Sequence, residues 1–248
     1  ALKTIRISEK GEREDRGAAV VFAIILLLIL YTTIIMWGQT VMSGVIEEKG
    51  SRVIEVLASG VPATLLLAGK LLGIGAAGLT QFLVWTASLA ALSLAPWATS
   101  AGAFSLPELT PFVLASFVLF FLLGFLLYAA LYAAIGSAVN TVQEAQNFVF
   151  PVLLPLVGSV MCFTVVLESP DSGLSVGLSL VPFLSPLLMF LRIVVLTPPL
   201  WQVALSLVLL LATILAVLWL AARIYRVGIL MYGKKPTFPE LMRWVRHS

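Results

Sequence analysis

The stretch GAAVVFAIILLLILYTTIIMWGQTVMSGVI, residues 17–46, carries no Asp, Glu, Lys or Arg over 30 residues. A helix needs about 20 mostly apolar residues to cross a bilayer, and this run exceeds that. Its centre, VVFAIILLLILYTTII, is rich in β-branched residues. They are helical in lipid because only a helix satisfies its own backbone there. Working outward, further charge-free runs cover 71–107, 109–143, 145–167, 172–191 and 193–222. A membrane β-barrel would show short alternating segments instead. The fold class expected is an all-α membrane protein.

Composition agrees. Of 248 residues, 60% are hydrophobic and 11% charged, and mean hydropathy is +1.09. Soluble domains are about 45–50% apolar and about 25% charged. A water-soluble globule and a disordered chain are both excluded. Cys162 is the single cysteine and lies in an apolar run, so no disulfide framework or cysteine-based metal site is expected. His247, the one histidine, is next to last, which excludes catalysis by an internal histidine. No P-loop and no HExxH occurs. The net charge of +3 sits mostly at the two ends. It reads as contact with the lipid bilayer's headgroups, not as nucleic-acid binding.

Five spans are expected, at about 17–40, 71–94, 111–139, 148–167 and 201–222. Residues 1–16 are a polar juxtamembrane segment, and 223–248 a basic tail with six Lys/Arg against one Glu. Between the first two spans lies the only charge cluster that separates spans. There Ile46, Val53, Ile54 and Leu57 recur at helical spacing, and Glu48, Arg52 and Glu55 are placed to pair along one helix. Gly60 and Pro62 end it. An amphipathic surface helix over about 45–59 is expected, lying on the membrane or against another protein. Residues 172–195 are apolar but broken by Gly173, Gly177, Pro182 and Pro186. A re-entrant helical pair fits this region better than a straight span. Charge counting alone favours six spans, with 11 Lys/Arg inside against four outside. Five spans with the N-terminus outside give nine against six.

GVIEEKGSRVIEVLASGVPATLLLAGKLLGIGAAGLTQ, residues 44–81, resembles the cytoplasmic segment and following helix of type-2 ABC exporter permeases, most closely the NatB-like sodium-efflux permeases. YRVGILMYGKKPTFPELMRWVR, 225–246, and PFLSPLLMFLRIVVLTPPLWQ, 182–202, resemble that family's C-terminus and external re-entrant region. The resemblance implies a permease subunit, with ATP and Mg held by separate ABC ATPase subunits, a second permease subunit of the same or a related kind, and no cofactor on this chain. It implies an inner (plasma) membrane location, N-terminus outside and C-terminus cytoplasmic. It also implies a first helix and an external domain ahead of these spans, of which 1–16 is the end. The segment matching Glu47 to Ala58 would be the coupling helix, with Glu47, Glu48, Arg52 and Glu55 as polar contacts and Val53, Ile54 and Leu57 as the packed face.

Other polar residues have two readings each. Gln143 and Glu144 form a second cytoplasmic contact or a solvated turn. Thr80 and Gln81 line a pathway or bond between helices. Arg192 guides substrate, or sits at the outer interface or against a cavity. Lys70 snorkels from a helix end. Sodium, a drug or a lipid would be the exported cargo. The competing function is a gradient-driven secondary transporter or channel without an ATPase, its site held by discontinuous helices near 182–186. No residue is assigned a catalytic or metal-binding role.

Overall fold

The computed structural model describes residues 9–93, 111–229 and 231. The start of the juxtamembrane segment, the loop at 94–110 and the tail beyond 231 lie outside them. Every element among the described residues is helical. In chain order these are α1 (Glu9–Gly50), α2 (Val53–Gly60), α3 (Ala63–Ser93), α4 (Pro111–Ala138), α5 (Val142–Met161), α6 (Phe163–Glu168), α7 (Gly173–Leu180), α8 (Ser185–Val195) and α9 (Leu200–Gly228). Five stretches are long and apolar enough to cross a membrane: Val20–Gly50, Ala63–Ser88, Pro111–Ala138, Val142–Glu168 and Leu200–Gly228.

The number of spans matches the reading of the sequence; several boundaries do not. The first helix does not stop near residue 40 but continues to Gly50. Its continuation buries Val41, Met42, Val45, Ile46 and Lys49. That stripe, at spacings of three and four, packs on α4, and packing carries the helix through the isolated Gly38 and Gly44. The expected surface helix at 45–59 is therefore two pieces. Residues up to Gly50 finish α1, and only Val53–Gly60 forms α2. The second span begins at Ala63 instead of 71, because the Pro62 carbonyl accepts from the Leu65 and Leu66 amides at 2.9 and 3.2 Å and starts the helix there. The span expected from 148 starts at Val142, where Thr141 caps it.

α4 is the centre of the bundle. It packs against α1 on one side and α9 on another, with α3, α5 and α8 completing its surroundings. Close approach is set by small residues. A Cβ on Gly136 would lie 2.8 Å from the Met42 carbonyl oxygen of α1, and one on Gly228 of α9 would lie 2.8 Å from the Ser137 carbonyl oxygen of α4. Toward the other end of α4, Phe82, Phe117, Phe121 and Phe190 stack with centroids 4.3–4.8 Å apart, joining α3, α4 and α8. α9 buries one stripe, Gln202, Ser206, Leu210, Ile214, Val217, Ala221, Tyr225 and Gly228, and turns Val208, Leu215 and Trp219 outward.

α7 and α8, of eight and 11 residues, are each too short to span. α7 starts beside the end of α5–α6, where the Ser175 hydroxyl bonds the Ser169 carbonyl at 2.7 Å. The turn between them reaches beyond the midpoint of α4, where the Tyr128 hydroxyl donates to the Phe183 carbonyl at 2.7 Å. α8 then returns, and Arg192 near its end meets the Pro170 carbonyl and Gln202 at the start of α9.

The close approaches give a paired prediction. Gly136→Ala forces α1 and α4 apart and should lower the thermal unfolding midpoint in detergent, a loss of about 1–3 kcal/mol. Gly73→Ala, where an added Cβ meets nothing within 4 Å, should be neutral or stabilising. Equal midpoints for the two variants would show that α1 and α4 are not held at the Gly136 contact.

Candidate functional site

The polar residues gather at the two ends of the bundle. At one end, α1 stops when the Ser51 amide bonds the Glu47 carbonyl at 2.9 Å and the Arg52 amide bonds the Lys49 carbonyl at 3.2 Å. Arg52 has φ of 58°, the left-handed region, and this backbone reversal turns the chain from α1 into α2. Helix capping of this kind usually uses glycine, so an arginine here is strained.

Around this turn the expected contact residues separate. Glu47 and Arg52 are exposed. Glu48 is partly exposed, and its carboxylate meets the Lys70 ammonium at 2.6 Å, tying α1 to α3. Lys70 is therefore paired rather than simply snorkelling. Of the expected apolar face, Ile54 is buried at 1% exposure while Val53 is 48% exposed. The side chains of Glu55 and Leu57 lie outside the described residues. Val56, which periodicity did not single out, is 75% exposed.

Lys49 was also missed by the sequence reading. It is buried to 2% exposure, and its ammonium donates to the Ser137 and Val139 carbonyls at 2.8 and 3.2 Å. These carbonyls end α4, so a cation sits on the negative end of that helix's dipole. α5 begins immediately afterwards. The Thr141 hydroxyl accepts from the Glu144 amide at 3.2 Å, and the Glu144 carboxylate accepts from the Asn140 amide at 3.2 Å. This is close to a capping box, with the Glu144 carboxylate reaching the amide just before the cap, and TVQE was its legible signal. Glu144 thus has local work to do, while Gln143 is exposed.

At the opposite end Arg192 is fully buried. Its guanidinium donates to the Pro170 carbonyl at 2.9 Å, the Ser179 hydroxyl at 3.0 Å and the Gln202 side-chain oxygen at 2.8 Å, with Asp171 at 3.8 Å. One side chain fastens α7, α8, α9 and the 169–172 turn. Next to it, Ser185 and Ser206 share a buried hydrogen bond between α8 and α9. The two other pathway candidates lie elsewhere. Gln81 accepts from the Trp37 indole at 3.1 Å, a bond between α3 and α1. Thr80 is exposed and bonds its own helix at the Ala76 carbonyl.

Residues 173–177 read GLSVG, the spacing of a hydrolase nucleophile elbow. That motif needs a strand turning into a helix. Here Ser175 lies within helix α7, buried and bonded to a carbonyl, so the spacing carries no such chemistry. Among the described residues no group of three His, Cys, Asp or Glu could hold a metal ion.

Removing either buried cation should destabilise the bundle. Lys49→Met leaves the Ser137 and Val139 carbonyls without their donor, and Arg192→Met does the same to Pro170 and Gln202. Each should cost about 1–3 kcal/mol, seen as a lower tryptophan-fluorescence midpoint in denaturant. Asp171→Asn, at a side chain 71% exposed, should leave it unchanged.

Comparison with known proteins gives the family. Over residues 3–223 the sequence matches the family described as ABC-2 family transporter protein. It is 34% identical to "Uncharacterized protein YhaP" of Bacillus subtilis (strain 168), over 98% of this chain and 59% of that protein. It is 28% identical to "Uncharacterized protein MJ1024" of Methanocaldococcus jannaschii, over 98% of this chain and 58% of that protein. The chain thus spans about three fifths of the length of the curated relatives it matches. No solved structure matches it. With five apolar helices long enough to cross a membrane and a family match over most of its length, the chain belongs to the ABC-2 family of transporter membrane proteins.

Proposed function

We propose that this chain is the permease part of an ATP-driven exporter, and that the turn from α1 into α2 is where a separate ABC ATPase subunit docks. Family membership supports the class. The observation that carries the docking site is the reversal at Arg52, which leaves Val53 and Val56 exposed on a short helix beside exposed Glu47. In this reading the coupling element is the last turn of α1 plus α2, and the exposed Gln143 at the same end is a second contact. ATP and Mg sit on the ATPase. Its closure pushes α2, and the Glu48–Lys70 and Lys49–Ser137 links pass the movement to α3 and α4.

The same reading orients the chain. The α2 end is cytoplasmic, which puts nine Lys/Arg inside against six outside. The α7–α8 pair is then an external re-entrant hairpin, its backbone shielded by α1, α4 and α9. Two permeases, identical or related, pair in the plasma membrane and cargo passes between them. The sodium of the family likeness and an apolar drug or lipid are the cargo classes to assay.

The test is co-purification of the full-length protein from native membranes. A soluble subunit carrying a P-loop should come with the wild type. It should be lost with Val56→Glu, a change at an exposed position that leaves the bundle intact. An ATPase that stays bound to Val56→Glu would move the docking site elsewhere. A folded permease with no ATPase at all would overturn the exporter reading in favour of a gradient-driven transporter.

A further inference from the structure

We propose, on the reading that an ATPase docks at α2, that Glu48 is a two-position latch: it holds Lys70 of α3 in this structure, and is handed to the Tyr225 hydroxyl of α9 when the end of α1 is pushed. Tyr225 is fully buried, and its hydroxyl finds no hydrogen-bond partner among the described residues. Buried polar atoms are seldom left bare, because water is lost and nothing replaces it. Phenylalanine would fill the same space without that cost, so packing alone does not account for the hydroxyl.

Its neighbours supply a reason. Gly228, one turn beyond Tyr225, lets α9 lie on the Ser137 carbonyl of α4. The Lys49 ammonium donates to that same carbonyl at 2.8 Å. α1 and α9 thus converge on one atom of α4, and Glu48 directly precedes Lys49. The Glu48 carboxylate acts electrostatically on Tyr225 without being bonded to it. It is paired instead with Lys70, whose ammonium lies against Gly44, one turn earlier on α1.

The two arrangements are balanced. The Glu48 side chain is 37% exposed, and an ion pair open to water contributes little net stability. A hydrogen bond from a buried hydroxyl to a carboxylate contributes at least as much. A small displacement therefore suffices to exchange one for the other, as a switch between two packed states requires. The displacement arrives at the right place. The Ser51 amide bonds the Glu47 carbonyl, and the reversal at Arg52 leads straight into α2. A push on α2 reaches the last turn of α1 first. Lys49 stays fastened to α4 and serves as the pivot, so the turn rotates rather than slides. Rotation strains the Glu48–Lys70 link and then exchanges it, and α1 changes partner from α3 to α9.

The test uses the full-length permease with its ATPase subunit in nanodiscs and two variants, Tyr225→Phe and Lys70→Met. Without nucleotide, Tyr225→Phe should keep or raise the thermal unfolding midpoint, since it removes only an unbonded hydroxyl. With ATP it should lower the maximal hydrolysis rate about ten-fold at unchanged KM, the loss of one hydrogen bond to a charged group. Lys70→Met releases Glu48 from α3 and should raise the rate, and adding Tyr225→Phe should cancel that rise. A lower midpoint for Tyr225→Phe without nucleotide would make the hydroxyl a structural bond and overturn the latch. So would wild-type hydrolysis in Tyr225→Phe, or a rise from Lys70→Met that persists in the double variant; either leaves the exporter reading standing. A wild-type permease that binds no ATPase would overturn the exporter reading and the latch together.

Discussion

The end of α4 is the point on which the bundle depends. Its last carbonyls cannot be left bare inside a packed, water-poor assembly. Lys49 answers two of them with a buried ammonium, from a different helix. Gly228 lets α9 come against the same Ser137 carbonyl, and Gly136 lets α1 approach one residue earlier. Thr141 and Glu144 then open α5 directly beyond. Four helices are registered to each other within a few residues of Ser137, by main-chain hydrogen bonding and by the absence of side chains.

A second buried cation does the corresponding work at the other end. Among the described residues the carboxylate facing Arg192 is that of Asp171, 3.8 Å away and mostly exposed. Neutral oxygens of Pro170, Ser179 and Gln202 take its donors instead. A guanidinium suits this, because its fixed fork serves several acceptors at once. The α7–α8 pair is thereby fixed at one end by Arg192 and at the turn between its helices by Tyr128. Between the two clamps the contacts are aromatic and aliphatic, joined only by scattered hydrogen bonds such as Ser185–Ser206.

The spans were legible in the sequence because absence of charge over long runs is a strong and local signal. Five of them are present among the described residues. Boundaries were less legible. Nothing in residues 41–50 announces that the helix continues, since the continuation is set by contact with α4, which is remote in sequence. The charges at 47–55 read as a single amphipathic helix. The reversal at Arg52 was hidden because arginine is not a residue that signals a left-handed backbone. The pairing of Glu48 with Lys70 was not legible because the two lie 22 residues apart across a turn. Lys49 and Arg192 show the same limit: the oxygens that a buried cation meets are remote in sequence, so its burial is not legible. The capping residues Thr141 and Glu144, by contrast, stand three apart and could have been read directly.

The clamp on Arg192 bears on how the chain is made. α7 and α8 are each too short to span a bilayer, and Arg192, in the last turn of α8, is costly to leave unpaired in an apolar setting. One of its acceptors, Gln202, is translated after it, at the start of α9. The region from 169 to 195 therefore lacks part of its anchoring until α9 has been made. Its set of hydrogen bonds is complete only once α9 is in place, so the chain's order of synthesis and its order of assembly part company at this point.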